Sequence, residues 1–378
     1  MAQQLSVVRF TKDFVPCRTS PVTELGWFGL TNQHEDPACK DFIDDKEKRS
    51  VRLLSQHWDS IRNTDLDDRY HLYESRAAEN PVSNWRPLAH MQTWIKKNPE
   101  VFHTFKPDIV CSSRALKQAL DIPHTYGSFS ETFLACKRQG TIYLTCKKFD
   151  ALGNALPVNH QKAYRMRRYE QLVAGTSNDG QSDDFTTFDY FYSVIGRTIG
   201  RTRLLYHHKI DCIDPQVTSS PENYVQLVVN EDRPAQSQRQ RCSRKYQNAV
   251  RGTWSKCFLN GSPRALVGRK KDNILFGCAM TVVARIPDSA SVSCENRRCK
   301  HWNKERNISF LNQFLEYVRN TVQQDYEHTV YGFVVDYSNQ DIATVRATEW
   351  CAGSANFEAN NILRTWDQVS DNIGCSLI

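Results

Sequence analysis

Two short stretches hold residues whose types and spacing bear on phosphate chemistry. In LLYHHKIDCI, Lys209 and Asp211 stand two apart, and in NYVQLVVN so do Gln226 and Val228. Each stretch is apolar-rich, and a Pro/Ser-rich connection around SSPEN separates them, the pattern of two strands joined by a loop. Residues at i and i+2 of a strand share a face, so two such pairs on neighbouring strands converge on one cleft. Metal-assisted hydrolysis of a phosphodiester needs several carboxylates to hold one or two cations, and often a Lys beside the attacking water. Glu-x-Asp on one strand, Glu-x-Lys on the next and a Glu from a nearby helix would supply that set. The chain keeps the spacing and changes the residues. His207 and His208 invite a general-base reading, but neighbours on a strand face opposite ways, and structural roles are expected for both.

The elements around these stretches follow from apolar periodicity. SFLNQFLEYVRNTVQQ places Phe310, Leu311, Phe314, Leu315, Val318 and Val322 on one helical stripe, with Ser309 as the expected N-cap. Residues 159–175 carry strong helix formers and end on Gly175, and RSVRLLSQHWDSI and RPLAHMQTWI also read as helices. TIYLTC, RALVG, LFGCAMTVVARI and TVYGFVVDYS read as strands. Helices and strands interleave without strict βαβ alternation, which predicts an α/β (mixed α+β) fold of mixed sheets wrapped by helices. GTSNDGQSDD (175–184) is the most loop-like tract, too short for an inter-domain linker, so a single domain over 1–378 is expected.

The totals set outer limits. The 378 residues, 40% hydrophobic and 24% charged, can bury a sizeable core. No apolar run is long enough to span a bilayer, and the start MAQQLSVVRFTKDF lacks a signal-peptide pattern, so an intracellular protein is expected. Thirteen dispersed cysteines fit reduced, mostly buried thiols better than a disulfide framework. Cys294, Cys299 and His301 form half a zinc-site pattern without a matching half, so no metal is assigned and a surface loop is expected. The net charge of +7 is modest, but from Arg233 to Lys271 eleven basic residues occur without an acidic one. Arg239, Arg241, Arg244, Lys245, Arg251 and Lys256 would attract a phosphate backbone, with Trp254 (and Tyr246) offering ring faces to bases. The competing reading is a solvated helix face balanced by acidic residues folded nearby.

The order of several tracts carries a resemblance. VTELGWFGL, KPDIVCSSRALKQAL, QGTIYL, YEQL, KIDCIDPQ, YVQL, WSKCFLNGSPRALVG and FLNQFLEYVRNTVQQD, spread from about Val22 to Trp366, resemble the DXO family of decapping exoribonucleases. The resemblance implies one domain with two mixed sheets flanked by helices and a central RNA cleft. It also implies removal of incomplete or unusual caps, or of five-prime phosphates, with divalent metal.

Position by position, the resemblance fails in the pocket. The family's Gly-x-x-x-Glu falls on Met166 and Glu170, its Glu-x-Asp on Lys209 and Asp211, and its Glu-x-Lys on Gln226 and Val228. The family's early substrate-binding Arg falls at Ser113, with Arg114 displaced by one, and the Gln of a later Trp-x-Gln tract is Lys256. Only Glu170 and Asp211 survive. Exchanging a carboxylate for an ammonium changes the local charge by two and disfavours a divalent ion. Lys209 is expected to pair with Asp211 or Glu170 in the metal's place. Three readings result: a catalytically inactive, cofactor-free relative that binds RNA; an active hydrolase with altered ligands, drawing on Glu170, Asp211 and Asp214 or Glu222; and a protein-interaction scaffold. The first is expected. Among degenerate members of the family, the chain is similar to an insect germline branch. That likeness implies a nuclear role in the piRNA pathway, with Deadlock as protein partner and through it the chromatin protein Rhino.

Overall fold

The computed structural model describes residues 2–11, 15–31, 41–43, 51–72, 74, 88–124, 130–147, 160–175, 190–231, 243–287, 302–336 and 342–354. Two sheets organise the described residues. The larger runs, in spatial order, β1 (Ala2–Thr11), β17 (Ile342–Cys351), β16 (Thr329–Asp336), β7 (Ser130–Arg138), β8 (Thr141–Lys147), β6 (Ile109–Ser112), β11 (Thr202–Ile210), β10 (Tyr190–Ile199), β2 (Thr23–Thr31) and β3 (Asp41–Ile43). The smaller runs β5 (Thr64–Asp65), β15 (Ile274–Val282), β14 (Arg264–Lys271), β13 (Tyr224–Glu231), β12 (Cys212–Ile213), β4 (Leu53–Leu54) and β9 (Ala174–Gly175). Both are mixed: β6 lies parallel to β11 and β8, and β13 parallel to β14, among antiparallel neighbours. The α helices among the described residues are α1 (Ala89–Lys97), α2 (Pro99–Phe105), α3 (Ser113–Asp121), α4 (His160–Val173), α5 (Arg244–Asn260) and α6 (Lys304–Thr321).

The apolar stripe of α6 is buried as its spacing predicts. Phe310, Leu311, Phe314, Leu315 and Val318 pack with α3 residues and with Phe133 and Phe333 of the larger sheet. Burial of each such side chain contributes about 1.5–3 kcal/mol. The helix begins five residues earlier than Ser309, however. Asn303 is the cap, its Oδ1 accepting from Glu305 N at 2.8 Å and Arg306 N at 3.2 Å. Asn and Ser cap about equally well, so the good helix formers between them settle the start, and Ser309 Oγ instead accepts from Val15 N at 2.9 Å.

Other sequence-based expectations need correction. RSVRLLSQHWDSI is not a helix: Leu53–Leu54 forms β4 and Trp58–Ser60 a single 3-10 turn. Leu54, Trp58 and Ile61 have helical spacing, but β4 is drawn between β12 and β9, and pairing overrides the local pattern. Gly175 does not cap α4; it pairs with Leu53 in β9. LLYHHKIDCI is not one strand. Its first part, through Ile210, belongs to the larger sheet, whereas Cys212–Ile213 pairs with Val225 and Tyr224 in the smaller one. Asp211 is the residue at which the chain changes sheets. Eight described cysteines are free, most of them buried, as reduced thiols would be. The loop-like tract from 176 to 184 lies outside the described residues.

Candidate functional site

The site lies at this seam. Helix α4 delivers Glu170 because the preceding residue, Tyr169, is locked into the smaller sheet's core. Its hydroxyl donates to Leu266 O at 3.1 Å, and its ring lies where a side chain at Gly268 would project. Lys209 comes from the end of β11, Asp211 from the crossover, and Gln226 and Val228 from one face of β13. Glu170, Asp211 and Gln226 are all buried.

The geometry puts Lys209 at the centre. Its Nζ donates to Glu170 Oε1 at 2.8 Å and Oε2 at 3.0 Å, lies 3.3 Å from Asp211 Oδ1, and sits 5.3 Å from the centroid of the Tyr190 ring. The second oxygen of each carboxylate is engaged as well. Arg52 Nη1 donates to Glu170 Oε2 at 3.0 Å. Asp211 Oδ2 accepts from Leu227 N at 3.0 Å and from Gln226 Nε2. Gln226 is held in turn by Asn260 Nδ2, which donates to its Oε1 at 3.0 Å. Burial alone would pull the lysine's pKa down, but Glu170 and Asp211 outweigh it and hold the pKa above the ordinary lysine value. The side chain is therefore an ammonium at neutral pH.

Thus four of the expected pocket residues meet in one bonded cluster. Val228 is buried on the strand face it shares with Gln226 and offers only hydrocarbon. Ser113 is half-buried at the start of α3, with no hydrogen bond to the cluster among the described residues. Lys256 is half-buried on α5, and its charge acts on His208, where burial and this cation help to lower the pKa to about 4. Asp214 pairs with Arg264 at 2.6 Å and also accepts from Gln216 N at 2.9 Å, while Glu222 is exposed, so neither joins the cluster. Three partners had no sequence signal. Arg52 arrives through the backbone pairing in which Ile213 N donates to Arg52 O at 2.9 Å, and Tyr190 and Asn260 arrive from β10 and α5.

The basic tract is corrected in part. Trp254 is no stacking platform: it is buried, with its ring 4.8 Å from that of Phe258 and 5.2 Å from that of Trp302. Arg251 is buried too, 3.2 Å from Asp121 and donating to His124 O, so it braces α5 against α3 and is not offered to phosphate. Arg264 and Lys270 are paired with Asp214 and Glu231, acidic residues folded nearby as the competing reading of the tract expects. Lys245 is exposed. Arg239, Arg241, Cys294, Cys299 and His301 lie outside the described residues, as does the side chain of Arg244.

Comparison with known proteins shows the family and the fold. Residues 22–368 match the family model described as RAI1 like PD-(D/E)XK nuclease. The decapping and exoribonuclease protein of Bos taurus is 26% identical over 209 residues, covering 53% of this chain and 51% of that protein. The decapping nuclease RAI1 of Aspergillus fumigatus is 26% identical over 141 residues, 35% of this chain and 36% of the other. The chain therefore spans about half the length, or less, of these curated relatives. Among solved structures, Scheffersomyces stipitis Rai1 in complex with (3'-NADP)+ and calcium ion superposes with a TM-score of 0.69 at 15% identity, covering 99% of this chain and 98% of that one. Candida albicans Rai1 in complex with pU5-Mn2+ gives 0.67 at 15% identity, covering 96% of both. These likenesses show the fold, with its two mixed sheets and helices.

Proposed function

Because this chain belongs to the RAI1-like PD-(D/E)XK nuclease family, we propose that it keeps the family's RNA cleft without its chemistry and holds RNA five-prime ends instead of cutting them. The observation that carries this reading is the Lys209 ammonium seated between Glu170 and Asp211. A divalent cation does not fit the residues present. All four carboxylate oxygens already accept protein donors or face the ammonium, and two carboxylates are balanced by Lys209 and Arg52. At an effective dielectric near 20, each cation about 4 Å away would oppose a divalent ion by roughly 8 kcal/mol before any relaxation. Among the described residues no cluster of three acidic, histidine or cysteine side chains offers another site. A relative solved with pU5 supports RNA as the ligand class.

In the cell this reading makes the protein a nuclear RNA-processing adaptor. It shields nascent piRNA-precursor transcripts and suppresses termination at their source loci, similar to the insect germline protein Cutoff, with Deadlock and through it Rhino as partners. The loss of Glu-x-Asp and Glu-x-Lys at Lys209, Gln226 and Val228 supports it, since an adaptor needs the cleft and not the cation.

The test is turnover. Purified protein with Mn2+ and RNAs bearing triphosphate, monophosphate, unmethylated-cap or NAD ends should bind them and release no product. Turnover abolished by Asp211→Ala would overturn the proposal. The triple variant Lys209→Glu, Gln226→Glu, Val228→Lys should gain Mn2+ binding by calorimetry, with no heat of binding expected for the native chain.

A further inference from the structure

We propose a second RNA-contact surface, built on the β10–β11 turn at the end of β11 opposite the Lys209 cluster, that grips the phosphodiester backbone through Arg18, Arg201 and Arg203. The seven residue steps from Thr202 to Lys209 put it roughly 23 Å from that cluster.

The turn is unusually well pinned. Gly200 has φ 59°, and a Cβ there would come within 1.9 Å of Asn312 Oδ1, so the turn lies hard against α6 and only glycine fits. Gly200 N donates to Arg18 O at 2.9 Å, and Thr198 N and Ser20 Oγ join at 2.9 Å, tying residues 18–20 alongside. Arg319 Nη1 donates to Arg201 O at 3.0 Å from below. Arg203 N donates to Asp108 Oδ2 at 2.7 Å, and its guanidinium lies 3.8 Å from the same carboxylate. The loop carrying exposed Lys106 is joined to β11 by Asp108 N donating to Arg203 O at 2.9 Å.

The result is a rigid platform bearing exposed Arg18, Lys106, Arg201 and Arg203, with Arg319 beneath. Against these cations stand Asp108, Glu316 and Glu305, the last two acting on Cys17. Arg18 and Arg201 have no carboxylate partner among the described residues. A pinned backbone beneath guanidinium groups suits phosphate oxygens, because only side-chain order, and no loop order, remains to be lost on binding. A protein partner would call for an apolar anchor at the centre. The large exposed apolar residue closest in the chain, Val15, is fastened to Ser309, ten residues from Arg319 along α6. The exposed side chains of the platform itself are cationic. Backbone recognition of RNA, independent of sequence, is the better fit.

The experiment uses the full chain and a labelled oligouridylate of about 20 nucleotides with a five-prime monophosphate. Its affinity is followed by anisotropy from about 50 to 200 mM salt. Arg18→Glu with Arg201→Glu should weaken binding at least tenfold at the low-salt end. The charge-removing pair Arg18→Gln, Arg201→Gln should flatten the log–log salt slope by about 1.4, the loss of two phosphate contacts on a single strand. Unchanged affinity and slope in both variants would overturn the proposal. So would intact RNA binding accompanied by lost binding of a polyglutamate peptide, which would assign the platform to an acidic protein. Because Lys209→Met leaves this platform intact, a defect confined to that variant would speak to the cleft alone.

Discussion

An ammonium placed between two buried carboxylates does electrostatic work that elsewhere falls to a metal, and it does so without an exchangeable ligand. Lys209 is 30% exposed at its side chain, whereas Glu170 and Asp211 are 5% and 6% exposed. Removing the cation as Lys209→Met should therefore strand buried charge and cost about 2–3 kcal/mol, below the range for fully buried pairs because water still reaches the lysine. Urea denaturation measures this directly, and an unchanged midpoint would contradict the arrangement. The pH dependence has a definite sign. The folded pKa of Lys209 lies above its unfolded value, so its contribution is fully present below about pH 10.4 and is lost as pH rises through the folded pKa. The i, i+2 spacing and the family motif made Lys209, Asp211 and Gln226 legible in the sequence. Arg52 was not, since it reaches Glu170 through a strand pairing that no local pattern encodes.

At the scale of elements, the position of Glu170 depends on how closely α4 approaches the smaller sheet. Gly268 of β14 sets that approach: a Cβ there would meet Tyr169 Cε2 at 2.7 Å and Leu275 Cδ1 at 3.0 Å. Gly268→Ala should push Tyr169 outward and destabilise the protein by about 1–3 kcal/mol. A Cβ at Gly277, on the adjoining strand β15, would meet nothing within 4 Å, so Gly277→Ala is the matched control and should be near neutral. Thermal melts of the two variants side by side check the contrast. The periodic stripe of α6 and the nearly continuous apolar run of β16 were readable because each marks its own burial. The seam was not, because Ile210 and Cys212 look alike in sequence yet serve different sheets. The fate of Trp254 and Arg251 likewise depended on α3 and on residues around 302, far away in the chain.

For the whole molecule, closing helices over the sheets strands three histidines in places that disfavour their charged form. Burial lowers the pKa of His124 to about 4, aided by Arg251 and Arg306. Burial lowers His207 to about 3, aided by His90 and His208, and lowers His208 to about 4 despite the favourable Asp211. In the unfolded chain each would titrate near 6.5. The unfolded state therefore binds more protons in acid, and the stability these groups contribute, fully present above about pH 6.5, is lost as pH falls toward 4 and 3. At pH 5 the linkage amounts to about 2 kcal/mol per histidine. Three such groups would remove a large share of the 5–15 kcal/mol typical of a folded domain. Melting temperature should accordingly fall steeply between pH 7 and pH 5. His207→Phe tests the cause, because the ring sits 5.8 Å from that of Phe28 and 5.4 Å from that of Tyr192, neighbours that accept an apolar ring. That variant should recover about 2 kcal/mol of the acid loss. An acid transition that keeps its position in His207→Phe would assign the sensitivity to other groups.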